Sequence, residues 1–436
     1  MTVGGACTLI RGAQVFDGER PGEATSVLLA GGTIVGIGVG LGVPAGAEVI
    51  EGRGRTLLPG LIDCHVHAGD VRALGQALTF GVTTELDMFS DPDLAAQRRS
   101  LAARRDDVAD IRTATIGATP PGSQLARLAP GLPAVAGPGD AAAFVAARAA
   151  EGADYLKIYL EDPAWHGSPG LSADTVRALV AAAHARGMLA IAHADSQATA
   201  RMFIAAGGDA LAHVLAGLDL TPAFLAGLRR RPAFVIATLR ATAVLSGPHA
   251  RQIEADQSEL ARHPRLGPYL DPPTRAVFTR PGLLADARRG SAAACAGGRL
   301  DFDSAQRTVA ALYQAGIPVL AGTDTNYPDP DHGHAILNAY AGHGITLHHE
   351  LALLVRAGLT PAAALAAATS VPARCFGLTD RGRIAPGLRA DLLLIDGDPC
   401  ADITVTRNIA AIWRNGTRLH RQPQLGTSAE MSCVNL

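Results

Sequence analysis

The amino-acid sequence predicts an α/β fold: a (β/α)8 TIM-type barrel with a small discontinuous β-sandwich domain formed by both termini. Apolar strand-like runs alternate eight times with helical segments between residues 59 and 386. Several of these helical segments end in a glycine that leads into the next strand. β-rich stretches bracket the repeat on both sides, so one large domain with a satellite fits the 436 residues.

The two ends of the chain share a β-type pattern. Residues 1–58 alternate short β-type runs with glycine-rich turns, which is typical of a small antiparallel sheet. Similar runs return at 390–396 and 409–416. We therefore predict a β-sandwich domain from residues 1–58 and 387–421, a barrel over 59–386, and a flexible tail over 422–436.

The predicted barrel strands are near-continuous apolar runs, as expected for a parallel sheet that is covered on both faces. They span residues 61–67, 82–88, 111–117, 155–160, 189–194, 210–215, 234–239 and 318–323. Helical periodicity lies between them, for example at 173–186 and 304–315. An open doubly wound sheet is the alternative, but no glycine-rich nucleotide loop follows any of these strands.

Two connections are longer than ordinary loops. Residues 118–139 follow the third predicted strand, and residues 240 to about 300 follow the seventh; both are rich in proline or glycine. Long insertions after barrel strands usually build lids and substrate walls. We expect these two segments to shape substrate specificity.

Composition limits the classes of partner. A net charge of −2 and 18% charged residues argue against a nucleic-acid or anionic-membrane surface. No apolar run reaches the roughly 18 residues of a membrane span, and no signal peptide is evident. Six scattered cysteines without a C-x-x-C pair suggest reduced thiols. We expect a cytoplasmic protein that acts on a small-molecule substrate and forms a homo-oligomer.

Lys157 is the only lysine in the sequence, because every other basic residue among the 38 Lys and Arg is arginine. It lies in the apolar run 155–160, which reads as a buried strand. Arginine can replace lysine as a surface charge, but it cannot replace an amine that must lose its proton and react. A chance survivor whose amine reaches water at the strand end is the alternative.

Other chemistry-bearing residues fall at the ends of predicted strands. The first strand carries His65 and His67, whose two-residue spacing points both imidazoles to one face. Further strand ends carry His193, His213 and Asp324. Each alone is weak evidence, but together with Lys157 they place imidazole and carboxylate ligands suited to Zn²⁺ on one face of the barrel. A lysine that has reacted with CO₂ becomes a carbamate that can bridge two metals.

The motifs resemble the amidohydrolase superfamily, specifically its binuclear-metal branch with a carboxylated lysine and, within it, imidazolonepropionase-like and prolidase-like members. The resemblance covers about residues 8–420. The motifs that carry it are PGLIDCHVH at 59–67, GADYLKI at 152–158, AIAHA at 190–194, DALAH at 209–213, GTDT at 322–325, AATSVPA at 367–373 and RGRIAPGLRADL at 381–392.

The resemblance implies roles for the strand-end residues. One divalent ion would be held by His65, His67 and Asp324 and a second by His193 and His213, with carboxylated Lys157 and a hydroxide bridging them. The ions are expected to be Zn²⁺, with Mn²⁺ or Co²⁺ as alternatives. Asp324 would accept the proton of the attacking water and pass it to the leaving nitrogen.

These roles predict a metal-dependent hydrolase that cleaves an amide-type C–N bond in a dipeptide, N-acyl amino acid or cyclic amide. An esterase, lactonase or phosphotriesterase that uses the same binuclear site is the alternative, and a non-catalytic scaffold is a third reading. A deaminase is disfavoured, because mononuclear deaminase relatives generally lack this lysine. Residues expected to contact substrate or its oxyanion are Tyr159, His166, Arg240, Asn326 and Tyr327, and at most one of His332, His334, His348 and His349 is expected to reach the site.

Overall fold

The computed structural model describes residues 7–214, 218–230, 233–286, 301–328 and 339–424. His332 and His334 lie outside the described residues, as does most of the tail predicted over 422–436. Within the described part of the chain, none of the helices is long and apolar enough to span a membrane.

The strands, in chain order, are β1 (Cys7–Val15), β2 (Thr25–Ala30), β3 (Thr33–Gly38), β4 (Glu48–Glu51), β5 (Arg55–Pro59), β6 (Leu61–His67), β7 (Val82–Asp87), β8 (Asp110–Thr113), β9 (Tyr155–Leu160), β10 (Leu189–Ala194), β11 (Ala210–Ala212), β12 (Phe234–Ile236), β13 (Val319–Leu320), β14 (Thr325–Asn326), β15 (Leu392–Asp396), β16 (Ile409–Arg414) and β17 (Thr417–Arg418).

The helices are α1 (Arg72–Thr79), α2 (Pro92–Arg104), α3 (Gln124–Leu128), α4 (Ala141–Ala150), α5 (Pro163–His166), α6 (Ala173–His184), α7 (Gln197–Ala205), α8 (Pro222–Arg230), α9 (Leu239–Leu245), α10 (Gly247–Arg262), α11 (Pro272–Phe278), α12 (Phe302–Gln314), α13 (Ile345–Arg356), α14 (Pro361–Ala366) and α15 (Ser370–Cys375). Short 3-10 turns occupy Pro138–Asp140, Gly267–Tyr269 and Ile403–Arg407.

Strands from both ends of the chain form one sheet. Its order is β17-β16-β15-β5-β1-β2-β3, and β4 pairs with β1 outside this path. The antiparallel pairing of β5 with β15 joins the N-terminal and C-terminal strands directly. The predicted return of the chain to a sheet is therefore seen, whereas a separate sandwich domain with bounds at 58, 387 and 421 stays a prediction.

Eight parallel strands, β6 to β13, form the central α/β unit. Together with the short strand β14, they lie in two sheets of order β13-β12-β11-β10-β9 and β14-β6-β7-β8. Backbone hydrogen bonds reach from one sheet to the other: Ala118 N donates to Lys157 O at 2.8 Å, and Cys64 N donates to Ala321 O at 3.0 Å. The strands thus follow one another in the order of a TIM-barrel-like fold, and their carboxyl ends lie on one face.

Apolar side chains fill the space between these strands. One buried cluster takes members from, or immediately beside, all eight strands, and it includes Ile62, Leu86, Ala114, Tyr155, Ile191, Ala210, Phe234 and Leu320. Since side chains two apart share a face of a strand, Lys157 follows Tyr155 on the inner side and His193 follows Ile191. The inner layer therefore changes from apolar to ionisable toward the carboxyl ends.

The predicted strand bounds are correct for β6, β9 and β10. They are too long at the carboxyl ends of β8 and β12, which end at Thr113 and Ile236 rather than at residues 117 and 239. Thr115 and Thr238 have φ angles of 52° and 47°, in the left-handed region. The backbone turns away from extended geometry there, so apolar composition alone overestimates these strands.

Candidate metal centre

The ends of the first, sixth and eighth barrel strands bring three potential ligands together. Ligand atoms of His65, His213 and Asp324 all lie within 4.8 Å of one another. Oδ1 of Asp324 is 3.2 Å from His65 Nε2 and 3.1 Å from His67 Nε2. One carboxylate oxygen therefore faces two imidazole nitrogens at the carboxyl ends of the strands.

Backbone strain concentrates at the same place. Among the described residues, the non-glycine residues with positive φ are Thr115, His213, Thr238, Asp324 and Asn415, and all except Asn415 lie at or just beyond barrel strand ends. Such conformations cost about 1–3 kcal/mol each and persist where the surroundings enforce them. The positive φ angles turn the backbone at His213 and Asp324 away from extended geometry, and residues in such conformations cluster at functional sites in proteins generally.

Gly322 allows the first and eighth strands to approach closely beside His65. A Cβ atom at this position would lie 2.9 Å from His65 Cβ, 3.0 Å from His65 N and 2.6 Å from a methyl group of Ile236. Any side chain would therefore push Asp324 away from the histidines.

Asp63 braces the strand end from below. Its fully buried carboxylate accepts hydrogen bonds from His65 N at 3.2 Å, Thr323 N at 3.1 Å and Thr323 Oγ1 at 2.7 Å. Burial raises the pKa of Asp63 to about 7, which the Thr323 hydroxyl opposes. Asp63 thus ties the backbone that carries His65 to the backbone that carries Asp324.

His193 and Lys157 lie beside this group on adjacent strands. Ile191 pairs with Lys157 and His193 pairs with Tyr159 in the parallel register of β10 and β9. The ring of His193 lies 4.9 Å from that of His213 and 5.8 Å from that of Tyr159, measured between centroids. Nζ of the buried Lys157 lies 5.5 Å from the centre of the Tyr159 ring.

Burial and mutual proximity shift the ionisation of this group. Burial lowers the pKa of Lys157 to about 7, and the Asp324 carboxylate opposes that shift. Burial and then the Lys157 charge lower the pKa of His65 to about 3, and burial also lowers that of His193 to about 4. The imidazoles are therefore neutral at pH 7, which is the form that binds metals.

The Asp324 carboxyl shifts in the sense expected for an anion. Burial raises its pKa, but the nearby imidazoles of His65 and His67 outweigh burial and hold it well below the usual range. A negative carboxylate among neutral imidazoles is a donor set suited to a divalent cation.

His65 provides the test of whether a metal fits. Its side chain is 1% exposed, and neither ring nitrogen has a properly oriented hydrogen-bond partner among the described residues, although Nε2 lies 3.2 Å from Asp324. A buried polar atom without a partner is costly unless something else satisfies it. A cation between His65, His213 and Asp324 would satisfy it, so the donor set fits a metal.

The expected substrate contacts take different positions. Tyr159 is half-buried beside His193 and Phe89, at the mouth of the barrel. Asn326 donates from its side chain to Asp324 O at 3.3 Å, and Tyr327 lies under the guanidinium of Arg72 at 5.0 Å. These residues lie on the same face as the candidate metal ligands.

His166 and Arg240 are already engaged with other groups. His166 Nε2 lies 2.6 Å from Asp195 Oδ2, and both side chains are largely buried. Arg240 is 1% exposed, donates to Ala339 O at 3.4 Å, and has one further guanidinium nitrogen without a partner among the described residues. Their predicted contact with a substrate carboxylate remains a prediction.

Two further histidines that follow the last barrel strand, His348 and His349, also contact other groups. His348 is buried and bonds through Nε2 with Phe80 O at 2.9 Å, while His349 lies 3.6 Å from Asp256. Neither has a ligand contact with the residues around Asp324 among the described bonds.

Sequence reasoning missed three supporting groups. Thr238 contacts His213, Asp195 contacts His166, and Glu161 accepts hydrogen bonds from Gln124 N and Leu125 N. Asp195 and Glu161 each lie directly beyond a predicted strand end, a position that could have indicated them. Thr238 falls inside the predicted strand 234–239, and nothing in the pattern around it indicates a contact with His213.

A model of the amidohydrolase family matches residues 56–419. Curated relatives match over shorter segments. An adenine deaminase from Lysinibacillus sphaericus is 33% identical over 89 residues, 20% of this chain and 14% of the relative. An imidazolonepropionase from Deinococcus deserti is 37% identical over 112 residues, 25% of each chain. The chain thus matches a quarter or less of these relatives' own length.

A solved structure shows the fold over nearly the whole chain. The crystal structure of a Xaa-Pro dipeptidase with bound methionine in the active site is similar with a TM-score of 0.73 and 21% identity. The match covers 95% of this chain and 100% of the dipeptidase chain. At this identity the likeness supports the TIM-barrel-like architecture alone.

Proposed function

Because the chain belongs to the amidohydrolase family, a family of hydrolases, we propose that it is a metal-dependent enzyme that hydrolyses an amide-type C–N bond. The observation that carries this proposal is the buried His65, whose ring nitrogens have no hydrogen-bond partner among the residues that the structure describes and which lies beside Asp324 and His213. The family supplies the reaction class, and the donor set supplies the reason for a metal.

The proposed centre is binuclear. His65, His67 and Asp324 would hold one divalent ion and His193 and His213 another, most simply Zn²⁺, with Lys157 bridging as a carbamate. Bound there, such ions lower the pKa of water and polarise a carbonyl. Support comes from Tyr159, which pairs with His193 in the strand register and whose ring centre lies 5.8 Å from that of His193 and 5.5 Å from Lys157 Nζ.

Lys157 has surroundings that suit carboxylation. The nitrogen lone pair adds to the carbon of CO₂, an N–C bond forms, and one proton leaves to solvent. This step needs the neutral amine, which burial of Lys157 favours. The resulting carbamate is negative, and it would relieve the charge that the ammonium imposes on three neutral histidines.

Asp324 is proposed as the general base and then the general acid. Its carboxylate lies at the floor of the site, ionised and directed at His65 and His67. From there it would take a proton from the attacking water and return it to the leaving nitrogen. Tyr159, at the rim, is proposed to donate a hydrogen bond to the tetrahedral oxyanion.

The substrate is proposed to be a dipeptide, an N-acyl amino acid or a cyclic amide. The test is a panel of these compounds together with lactones, phosphotriesters and aryl esters, assayed with added Zn²⁺, Mn²⁺ or Co²⁺. The proposal expects metal-dependent turnover of amides that a His65→Ala protein lacks. Turnover of esters, lactones or phosphotriesters without turnover of amides would favour the alternative hydrolase activity.

A non-catalytic scaffold is separated from both enzymes by metal analysis. About two ions per chain are expected for the enzyme, and a purified protein that binds none under any of the three metals would support the scaffold. Assembly as a homo-oligomer and a cytoplasmic location remain predictions, tested by solution scattering and by fractionation.

A further inference from the structure

We propose that Glu350 and Thr238 act as positioning residues that hold the imidazole of His213 for metal binding, although neither is itself a ligand. This inference rests on the proposed metal centre. It concerns a contact between the end of the seventh strand, helix α13 and the histidine at the end of the sixth strand.

Thr238 is held in an unfavourable backbone conformation. It is fully buried and has a φ of 47°, which is an outlier for a β-branched residue. In this conformation its Oγ1 lies 2.8 Å from His213 Nδ1. The strain is therefore associated with a specific side-chain contact rather than with a loop that tolerates any geometry.

Hydrogen bonds to Glu350 hold the backbone that directly follows Thr238 in place. Its fully buried carboxylate accepts a hydrogen bond from Leu239 N at 2.8 Å through Oε1 and one from Arg240 N at 2.7 Å through Oε2. These are the two backbone amides that directly follow Thr238. Both oxygens are used, so the start of helix α9 is fixed in position and the Thr238 hydroxyl with it.

The contact selects one form of His213. If Nδ1 carries the proton and donates it to Thr238 Oγ1, Nε2 keeps its lone pair for a cation. Partners of this kind orient metal-binding histidines and fix their tautomer, and their loss typically weakens metal affinity about 10–100-fold. A purely structural role for Thr238 would instead affect folding and leave the affinity of the folded protein unchanged.

Thr115 offers a matched control in the same fold. It is also a fully buried threonine with positive φ just beyond a barrel strand, at 52°. Its hydroxyl donates to Glu151 Oε2 at 3.2 Å and contacts no proposed ligand. Replacing it removes a buried hydroxyl under the same backbone strain without touching a histidine.

The experiment measures the Zn²⁺ dissociation constant by chelator competition for the wild type and for Thr238→Val, Thr238→Ser, Thr115→Val and Glu350→Gln, with circular dichroism to confirm folding. Thr238→Val should bind the Zn²⁺ ion proposed at His193 and His213 about 10–100-fold less tightly than the wild type. Thr238→Ser should stay within a few-fold of the wild type, and Thr115→Val should not differ. Glu350→Gln should weaken binding, and combining it with Thr238→Val should add little because the two act in series.

Unchanged affinity in a folded Thr238→Val protein, or equal loss in Thr115→Val, would overturn the positioning role. If Thr238→Val does not fold, the serine and glutamine variants decide: wild-type affinity in Glu350→Gln, or full loss in Thr238→Ser, speaks against it. A wild type that binds no Zn²⁺ would instead refute the proposed metal centre, so the two failures are distinguishable.

Discussion

At the scale of single residues, the histidines at the barrel mouth lie close to one carboxylate, that of Asp324, and to one amine, that of Lys157. Asp324 is the carboxylate that contacts His65 and His67, and the buried amine of Lys157, whose pKa burial lowers to about 7, lies near them. Burial, and then the charges of Lys157 and of neighbouring imidazoles, lower the pKa of His65 and of His213. A divalent ion converts this arrangement from an electrostatic cost into a set of ligands.

Lys157→Arg should abolish the carbamate. We expect the variant to lose bound metal and to fall in activity by on the order of 10² or more, since removing a bridging ligand should cost at least as much as removing its outer partner. Protein labelled with ¹³C-bicarbonate should show a side-chain carbamate resonance in the wild type and none in the variant. Because Lys157 is the only lysine, assignment is direct. Full activity with two ions in the arginine variant would exclude the bridge.

Asp324→Asn should separate catalysis from folding. The amide cannot serve as a base, so kcat should drop about 10²–10⁴-fold, and metal retention should also decrease. The midpoint of unfolding should change little, whereas kcat should fall strongly. Steady-state kinetics and metal analysis on the same preparation provide the measurement. A kcat within a few-fold of the wild type would assign proton transfer to another group.

At the scale of elements, an ion-pair cluster joins the barrel to the strand that returns to the terminal sheet. Asp110, at the start of β8, contacts Arg381 at 2.5 Å and Arg389 at 3.4 Å. Arg381 is almost fully buried and also pairs with Asp380 at 2.8 Å. Burial would raise the pKa of Asp110, but the Arg381 and Arg112 guanidiniums outweigh it and lower that pKa.

Asp110→Asn should therefore destabilise the protein in a pH-dependent way. At pH 7 the loss should be roughly 3 kcal/mol, because Arg381 is left partly uncompensated. A carboxyl whose pKa is lowered on folding stabilises the folded state fully above its unfolded pKa of about 4. This contribution is lost progressively as the pH falls from there toward the pKa of the folded state. The difference in free energy of unfolding between the wild type and the variant should then decrease from pH 5 to pH 2, as measured by denaturant unfolding.

The exposed pair of Arg55 and Asp396 provides the control. These side chains meet at 2.7 Å but are 37% and 51% exposed. Asp396→Asn should cost at most about 1 kcal/mol. If the difference in free energy of unfolding between the wild type and Asp110→Asn stays constant down to pH 2, packing rather than charge holds the contact between the barrel and the returning strand.

Sequence reasoning reached the elements better than their ends. Periodicity predicted β6, β9 and β10 because long apolar runs with flanking helices leave little choice. It overextended the strands before Thr115 and Thr238, because positive φ at a threonine is imposed by distant partners. Glu350 acts on Leu239 from 111 residues away, which local sequence cannot indicate.

The proximity of His65 and Asp324 was predictable because strand ends of a parallel barrel meet on one face, whereas their role as metal ligands stays a prediction. The residues that contact substrate were less accessible. Arg240 was expected at a strand end but lies in helix α9 with its guanidinium buried, because the strand stops four residues earlier. The described parts of the long connections after the third and seventh strands contain helices α3, α9, α10 and α11, whose placement depends on tertiary packing.

At the scale of the whole molecule, the proposed metals would close the barrel. His67 and Asp324 contact each other across 257 residues of chain, His65 lies on the same strand as His67, and Lys157, His193 and His213 come from or directly follow strands between these two ends. A ligand that binds the folded state alone stabilises it by about 2.7 kcal/mol at a concentration 100 times its dissociation constant. Metal binding should therefore raise global stability, not only local order.

Adding Zn²⁺ to chelator-treated protein should raise the thermal unfolding midpoint by several degrees, and chelator should reverse the change, because cation binding links strands from opposite ends of the barrel sequence. Scanning calorimetry measures the shift. His65→Ala should lose most of it. His184→Ala should keep it, since His184 ends helix α6 and pairs with Asp209 instead. Equal midpoints with and without metal in the wild type would mean that the strand-end histidines do not form a centre that holds the barrel together.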